Sequence, residues 1–199
     1  MTRTRSRRPV SWPALLALAA VALAGAGCRG AGGRRTYQDG NMDFGSIHTA
    51  AVLPFTNLSR ESAGAERCRE VFSNMLLATG AVYVLPPGEV ARGLNRVQVV
   101  DPRQPSVDEI TKLGALLKAD VVIRGVVQEY GEVRSASAAA NVVSLSLEMY
   151  ETATGKIVWS GASTKGGIGM SDRLLGSGGA PMADVTQRAV GDLIDKLFR

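Results

Sequence analysis

The residue types that most often carry catalysis or bind metals are sparse in this sequence of 199 residues. It contains one histidine, His48, and two cysteines, Cys28 and Cys68. A zinc site usually needs four cysteine, histidine or carboxylate ligands, and a cysteine nucleophile usually needs a nearby histidine. The sequence has no CxxC motif, no HExxH motif and no serine, histidine and aspartate set. We therefore predict a non-enzyme with no metal site, no cofactor and no catalytic residues.

Two pairs of acidic residues are candidates for acid–base chemistry. Glu129 and Glu132 occupy odd and even positions of one strand pattern, so they are expected to face opposite sides of a sheet. Asp108 and Glu109 follow Ser106 in a capping-box pattern, in which the serine oxygen accepts from the third amide of a helix and the glutamate reaches back. Both pairs therefore have a structural explanation.

A glycine-rich segment at residues 176–179 precedes the last predicted helix. Free amides at a helix N-terminus can hold an anion, which makes this segment a candidate phosphate loop. It lacks the lysine and the following serine or threonine of a P-loop, and no strand leads directly into it. We predict that residues 165–180 form a mobile connector. Cys68 falls among apolar residues of a predicted helix and is expected to be a small buried side chain.

The central stretch of the chain, residues 119–164, has the periodicity of β-strands. Its second run alternates apolar and polar side chains, as a strand with one buried face requires. The apolar positions are Val143, Leu145, Leu147 and Met149, and the polar positions are Ser144, Ser146, Glu148 and Tyr150. A break at residues 134–140 and a turn at residues 151–155 divide the stretch. We predict a three-stranded antiparallel meander.

The rest of the chain supplies the elements that pack on this meander. Apolar spacing and helix signals predict, in order, strand 47–55, helix 61–79, strand 81–85, short helix 87–94, helix 107–118 and helix 181–199. The complete order is β-α-β-α-α-β-β-β-α. The predicted fold class is α/β, with a central mixed sheet and flanking helices in a single domain at residues 46–199.

The net charge of +5 is concentrated at the N-terminus. Four of the 23 basic residues are Arg3, Arg5, Arg7 and Arg8, and no acidic residue precedes Asp39. The chain beyond residue 27 therefore contains 19 basic and 18 acidic residues, which gives a net charge of +1. This balance argues against a nucleic-acid partner, which would require clustered basic residues on the folded domain.

The first 28 residues resemble a bacterial lipoprotein signal. Four arginines precede an apolar run at residues 12–27, which is shorter than the roughly 20 residues of a spanning helix, and Cys28 follows at once. The resemblance implies cleavage after residue 27, lipidation of Cys28 and a flexible tether at residues 28–45. Gly25 departs from the pattern, which usually has a large aliphatic residue there. Arg29, in place of an aspartate, implies sorting to the outer membrane.

Four segments of the mature chain resemble a group of periplasmic lipoproteins. The group includes the penicillin-binding-protein activator lipoprotein B family and the core of the curli secretion channel lipoprotein. The segments are AAVLPFTNLS at 50–59, VYVLPPGEV at 82–90, LGALLKADVVIRGVVQEYGE at 113–132 and VVSLSLEMYETATGKIVWSG at 142–161. The resemblance spans residues 47–199. It implies a mixed sheet flanked by helices and no catalytic residues.

This resemblance leaves several functions open. The first is a non-catalytic accessory lipoprotein on the periplasmic face of the outer membrane, which binds a peptidoglycan synthase or an envelope assembly factor. The second is a subunit of a curli-like secretion complex, and homo-oligomerisation is a candidate in either case. The second is disfavoured because the break at residues 134–140 is too short to hold a membrane-spanning hairpin.

A small-ligand-binding module is the third function, although no residue pattern specifies a ligand. For the accessory protein, the candidate partner-binding residues are Tyr130, Tyr150 and Trp159, since exposed aromatic residues dominate many interfaces. The alternative for each of these aromatic residues is a place in the core.

Overall fold

The computed structural model describes residues 36–135, 138–167 and 179–199. Within them lie seven strands and four α-helices. The strands are β1 Thr36–Gln38, β2 Thr49–Val52, β3 Thr56–Asn57, β4 Tyr83–Val84, β5 Val121–Ser135, β6 Ala138–Glu151 and β7 Ile157–Gly166. The helices are α1 Gly64–Ala78, α2 Pro87–Val97, α3 Val107–Leu117 and α4 Met182–Leu197. A 3₁₀ turn covers Phe44–Ser46.

All seven strands form one open mixed sheet. Its order is β1-β7-β6-β5-β2-β4, and the short strand β3 also pairs with β5. The strands β5, β6 and β7 are antiparallel, whereas β2 runs parallel to both β4 and β5. The predicted α/β class, mixed sheet and antiparallel meander are confirmed.

Helices pack on both faces of the sheet. On the first face, α1 and α4 bury a large core in which Phe72 and Leu193 join Leu145 and Leu147 of β6. On the second face, α2 and α3 bury a smaller core that ends at the neighbouring pair Val122 and Tyr150. The alternation predicted for β6 is confirmed, because Val143, Leu145, Leu147 and Met149 are all buried in the first core.

The capping box at the start of α3 is confirmed. The Ser106 side chain accepts a hydrogen bond from the Glu109 amide at 3.3 Å, and a Glu109 carboxylate oxygen accepts from the Ser106 amide at 2.6 Å. These two bonds satisfy amides that the first turn of a helix leaves without partners.

The β5–β6 hairpin is longer than predicted. The expected break at residues 134–140 is mostly strand, because β5 continues to Ser135 and β6 starts at Ala138. The small side chains of residues 135–140 give no apolar–polar alternation, yet backbone pairing between Val133 and Ala140 and between Arg134 and Ala139 extends the ladder. Pairing between strands compensates for the weak local pattern.

The sheet also begins earlier in the chain than predicted. The strand β1 falls inside the expected tether at residues 28–45, and Thr36, Tyr37 and Gln38 pair with Gly161, Ser160 and Trp159 of β7. The division into signal peptide, tether and domain otherwise stays a prediction, since residues 1–35 lie outside the described residues. Residues 168–178, which hold most of the predicted connector and glycine loop, lie outside them as well.

Within the described residues, no helix has both the length and the apolar character needed to span a membrane.

Candidate functional site

The aromatic residues predicted as partner anchors are buried. The exposed fractions are 7% for Tyr130, 8% for Tyr150 and 2% for Trp159. Gly161 makes room for the indole, since a Cβ at that position would stand 2.7 Å from a ring carbon of Trp159. This corrects the expectation of exposed anchors: all three side chains belong to the core, which is the alternative that the sequence left open.

Tyr150 connects the smaller core to a polar part of the sheet. Its hydroxyl donates a 2.8 Å hydrogen bond to Glu148, and the Arg124 guanidinium lies 5.6 Å from the centre of its ring. Arg124 and Glu148 form an ion pair of 2.5 Å. Burial and the neighbouring Glu148 raise the pKa of Tyr150 to about 12. The phenol therefore stays protonated at neutral pH and acts as a fixed hydrogen-bond donor.

Beyond this ion pair, the second face of the sheet carries polar side chains. Gln128 donates a hydrogen bond to Ser146 at 2.8 Å, and the Ser144 and Thr164 hydroxyls lie 2.9 Å apart. An antiparallel sheet commonly leaves one face to solvent, and these cross-strand bonds are typical of such a face. The polar groups largely satisfy one another, so we do not assign this face a ligand.

A groove at the β4 edge of the sheet has the character of a binding surface. It lies between one side of α1 and the segment Tyr83–Pro87, with a volume of about 520 Å³. The residues that α1 contributes are Glu66, Arg69, Glu70, Ser73, Asn74 and Leu77. We call this surface the edge groove.

Two large apolar side chains stand in the edge groove with much of their surface in solvent. Leu77 is 48% exposed and Tyr83 is 55% exposed, and Pro86 and Pro87 continue the apolar wall. The rim is charged, with an ion pair between Arg69 and Glu66. An apolar centre within a polar rim is the usual anatomy of a protein interface.

The backbone of β4 limits how a partner can bind there. The amides of Tyr83 and Leu85 donate to the carbonyls of His48 and Ala50 at 2.8 and 2.9 Å, so the amide and carbonyl of Val84 point to the free side of the strand. The two prolines that follow have no N–H, and they end the ladder after this single residue. Recognition in the edge groove therefore depends on side chains more than on strand addition.

A second groove, of about 560 Å³, lies between the β5–β6 hairpin and the turn after β3. Its lining includes Arg60, Glu61, Glu129 and Glu132, and Tyr130 contributes to its wall. Its exposed lining is mixed, since Leu58 and Val133, which are 66% and 38% exposed, stand among these four charged residues. The edge groove is the better candidate for protein docking, because Pro86 and Pro87 extend its apolar wall beside Leu77 and Tyr83, and buried apolar contacts contribute most to such interfaces.

Of the residues with potential reactivity, Cys68 lies in the core, and the His48 carbonyl accepts a 2.8 Å hydrogen bond from the Tyr83 amide. Cys68 has no exposed surface, and burial raises the pKa of its thiol to about 12. The His48 amide and the neighbouring Thr49 amide both donate to the Asp120 carboxylate at 2.9 Å. Among the described residues, no three histidine, cysteine, aspartate or glutamate side chains are grouped so that they could hold a metal ion.

Sequence reasoning missed the edge groove, although two signals pointed to it. Leu77 lies off the apolar stripe of α1 that Cys68, Phe72 and Leu76 define, and Tyr83 lies three residues before Pro86. Neither signal shows that the two side chains line the same groove. That proximity depends on how α1 packs along β4.

These features define a class of protein: an open mixed α/β sheet with helices on both faces and an apolar groove at one edge. Neither a family model nor a curated protein matches the sequence. Solved structures do match. The PelC dodecamer from Paraburkholderia phytofirmans aligns with a TM-score of 0.54 and 15% identity, over 80% of this chain and 94% of PelC.

Lipoprotein GNA1162 from Neisseria meningitidis aligns with a TM-score of 0.54 and 18% identity, over 76% of this chain and 98% of that protein. The C-terminal domain of LpoB from Escherichia coli aligns at 16% identity over 62% of this chain and 86% of that domain. Its TM-score is lower, at 0.47. The chain therefore shares the fold of PelC and GNA1162. The expected resemblance to the curli channel stays a prediction.

Proposed function

We propose that this protein is a lipid-anchored accessory protein of the bacterial envelope that binds another envelope protein through the edge groove. The observation that carries the proposal is that Leu77 and Tyr83, both about half exposed, line the same groove. Large exposed apolar side chains in one concave patch mark interaction sites, because burying them on a partner removes apolar surface from water.

Two further observations support the anchor and the location. The signal-like residues 1–27 end at Cys28, and GNA1162, which shares the fold, is itself a lipoprotein. We propose that Cys28 carries the acyl chains and that the domain lies on the periplasmic face of the outer membrane, as Arg29 favours. Several acyl chains hold a soluble domain on a bilayer without a spanning helix.

The assignment as a non-enzyme remains part of this proposal. Several of the charged side chains that the structure describes have structural partners, such as Arg124 with Glu148 and Asp192 with two lysines. The candidate acid pair Glu129 and Glu132 lies on opposite faces of β5, since their cross-strand neighbours Ser144 and Asn141 do. The two carboxylates are therefore not placed to act together as a general acid and a general base.

Assembly with copies of itself is a second candidate, and PelC was solved as a dodecamer. The end strands β1 and β4 leave two sheet edges where another copy could pack. A pore is disfavoured because the β5–β6 hairpin extends only a short way past Val126 and Val127, the residues of β5 that pair with β3. Residues 128–135 carry Glu129, Glu132 and Arg134, whereas a spanning strand needs about 9–11 residues with one apolar face.

The edge groove can be tested by photo-crosslinking in cells with the full lipidated chain. A photoreactive amino acid at Tyr83 reports the groove, and the same residue at Val100, which is 93% exposed, is the matched control. The proposal expects an envelope protein to crosslink at position 83 and not at position 100. A crosslink only to a second copy would favour the assembly candidate, and equal crosslinks at both positions would contradict docking in the groove.

The double variant Leu77→Ala and Tyr83→Ala tests how much these two side chains contribute to the binding free energy. If these side chains are the centre of the interface, the affinity for the captured partner falls roughly 30-fold or more, which corresponds to about 2 kcal/mol. The variant Val100→Ala should leave the affinity unchanged. Circular dichroism of the double variant separates lost binding from lost folding, since both replaced side chains are about half exposed.

A further inference from the structure

The short strand β1 fixes the N-terminal end of the domain to the sheet. Its three residues pair with Gly161, Ser160 and Trp159, and the Asp39 amide adds a 2.8 Å hydrogen bond to the Val158 carbonyl. Val158 and Trp159 are both 2% exposed, so β7 is held firmly at this point. The chain is therefore tied to one edge of the sheet from Thr36 onward.

This attachment shortens the reach of any anchor at Cys28. Eight residue steps separate Cys28 from Thr36. A fully extended chain of this length spans roughly 26–29 Å, whereas a free tether from Cys28 to residue 45 would span roughly 60 Å. The domain can therefore move away from its lipid by only about its own width.

The edge groove lies at the other side of the sheet. The strand order places β1 at one end and β4 at the other, with four strands between them. Neighbouring strands lie about 4.8 Å apart, so roughly 24 Å separates the two edges. The short attachment and the groove therefore belong to opposite edges of one rigid sheet.

From this arrangement we infer that the β1 edge lies nearer to the bilayer on average and that the edge groove is presented on the membrane-distal side, because a coil of eight residues typically spans about 14–17 Å, which is less than the roughly 24 Å between the edges. The inference rests on the lipidation of Cys28 put forward under the proposed function. It specifies the partner further: its docking site must lie within roughly 50 Å of the bilayer that holds the lipid. A partner confined to the opposite membrane would have to extend across the periplasm to meet the groove.

The basic residues between Cys28 and β1 favour the same orientation. Arg29, Arg34 and Arg35 lie between Cys28 and β1, and the first acidic residue is Asp39. Basic residues beside a lipid anchor are attracted to anionic headgroups. The β1 edge should therefore stay close to an anionic surface more of the time than chain length alone requires.

Energy transfer from the protein to the membrane tests the orientation. The full lipidated chain is placed in vesicles of phosphatidylethanolamine and phosphatidylglycerol that contain an acceptor lipid. A donor dye is attached to Tyr37→Cys on β1 or to Tyr83→Cys on β4, both at side chains more than half exposed. Cys68 is buried and stays unlabelled. With roughly 24 Å between the edges, transfer from position 37 should exceed transfer from position 83 about twofold or more.

A control chain carries about 20 flexible glycine and serine residues inserted between Gly33 and Arg34, and it should show nearly equal transfer from both positions. Equal transfer in the chain without the insertion, while the protein still floats with the vesicles, would overturn the orientation alone. Failure to float would instead overturn the lipid anchor, and the orientation with it.

Discussion

Gly114 on α3 lies directly against Thr152, in the turn between β6 and β7. A Cβ at Gly114 would stand only 2.2 Å from the Thr152 Cβ. Thr152 cannot easily move away, because its hydroxyl donates to the carbonyls of Ala119 and Asp120 at 2.6 and 3.0 Å. The glycine thus lets α3 approach the end of the meander and close the smaller core.

We expect Gly114→Ala to destabilise the protein. The overlap with Thr152 forces a shift of helix or turn, which typically costs about 1–3 kcal/mol and exceeds the roughly 1 kcal/mol that alanine gains in a helix. Urea denaturation followed by circular dichroism measures the difference. The matched control is Gly191→Ala on α4, where the nearest atom, the Met75 methyl carbon, lies at 3.5 Å. This variant should be neutral or more stable, and a similar loss in both would contradict the steric argument.

Ser106→Ala should remove about 1 kcal/mol of unfolding free energy, since the Glu109 amide loses its capping oxygen. Ser106→Thr keeps both the accepting oxygen and the hydroxyl that donates to Glu109 at 2.8 Å, and it should retain most of the stability. The hydrogen bonds from the Ser106 amide and hydroxyl lower the pKa of Glu109, so the box is complete at neutral pH. Equal losses in the alanine and threonine variants would show that the cap itself contributes little.

Asp192 holds α4 on β7 through two lysines. The Lys196 ammonium donates to its carboxylate at 2.6 Å and to the Ala162 carbonyl at 2.8 Å, and Lys165 lies 3.0 Å from the other oxygen. Burial opposes ionisation, but the hydrogen bonds from Lys196 and Lys165 outweigh it and lower the pKa of Asp192 from 3.8 to about 2.

This lowered pKa makes part of the stability dependent on pH. A carboxyl group with a depressed folded-state pKa stabilises the fold above its unfolded value of 3.8, and the contribution disappears as the pH falls through about 2. Asp192→Asn should therefore cost about 2 kcal/mol at pH 7 and much less near pH 2. Denaturant unfolding at both pH values measures this. Asp195→Asn, at an exposed site on the same helix, should change stability little at either pH, and a constant deficit for Asp192→Asn would contradict the linkage.

Cys68 should be unreactive in the folded protein. It has no exposed surface and its pKa is raised to about 12, so the thiol is neither ionised at neutral pH nor accessible to a reagent. A maleimide or Ellman's reagent should modify it only after denaturation. Fast modification of the native protein at pH 8 would indicate that α1 opens locally. Tyr83→Cys, at a 55% exposed position, is the positive control for reagent access.

Local patterns in the sequence were enough to predict the elements around the core. The alternation from Val143 to Tyr150 predicted β6 with its buried face, and Ser106 with Glu109 predicted the start of α3. These features succeed because period-two burial and capping depend on residues close together in the chain. The aromatic anchors failed for the opposite reason: whether Tyr130 and Tyr150 reach solvent depends on α1, α2 and α3 packing over them.

The sequence by itself thus determined the order of strands and helices, the mixed sheet and the small inventory of reactive residues. Only the tertiary structure decided that β1 joins the sheet, that the β5–β6 hairpin continues through residues with no strand pattern, and that Leu77 and Tyr83 share one groove. In each of these cases the stabilising contact joins segments far apart in the chain, such as Tyr37 with Ser160. Such pairing gains hydrogen bonds and buried area that no local periodicity records.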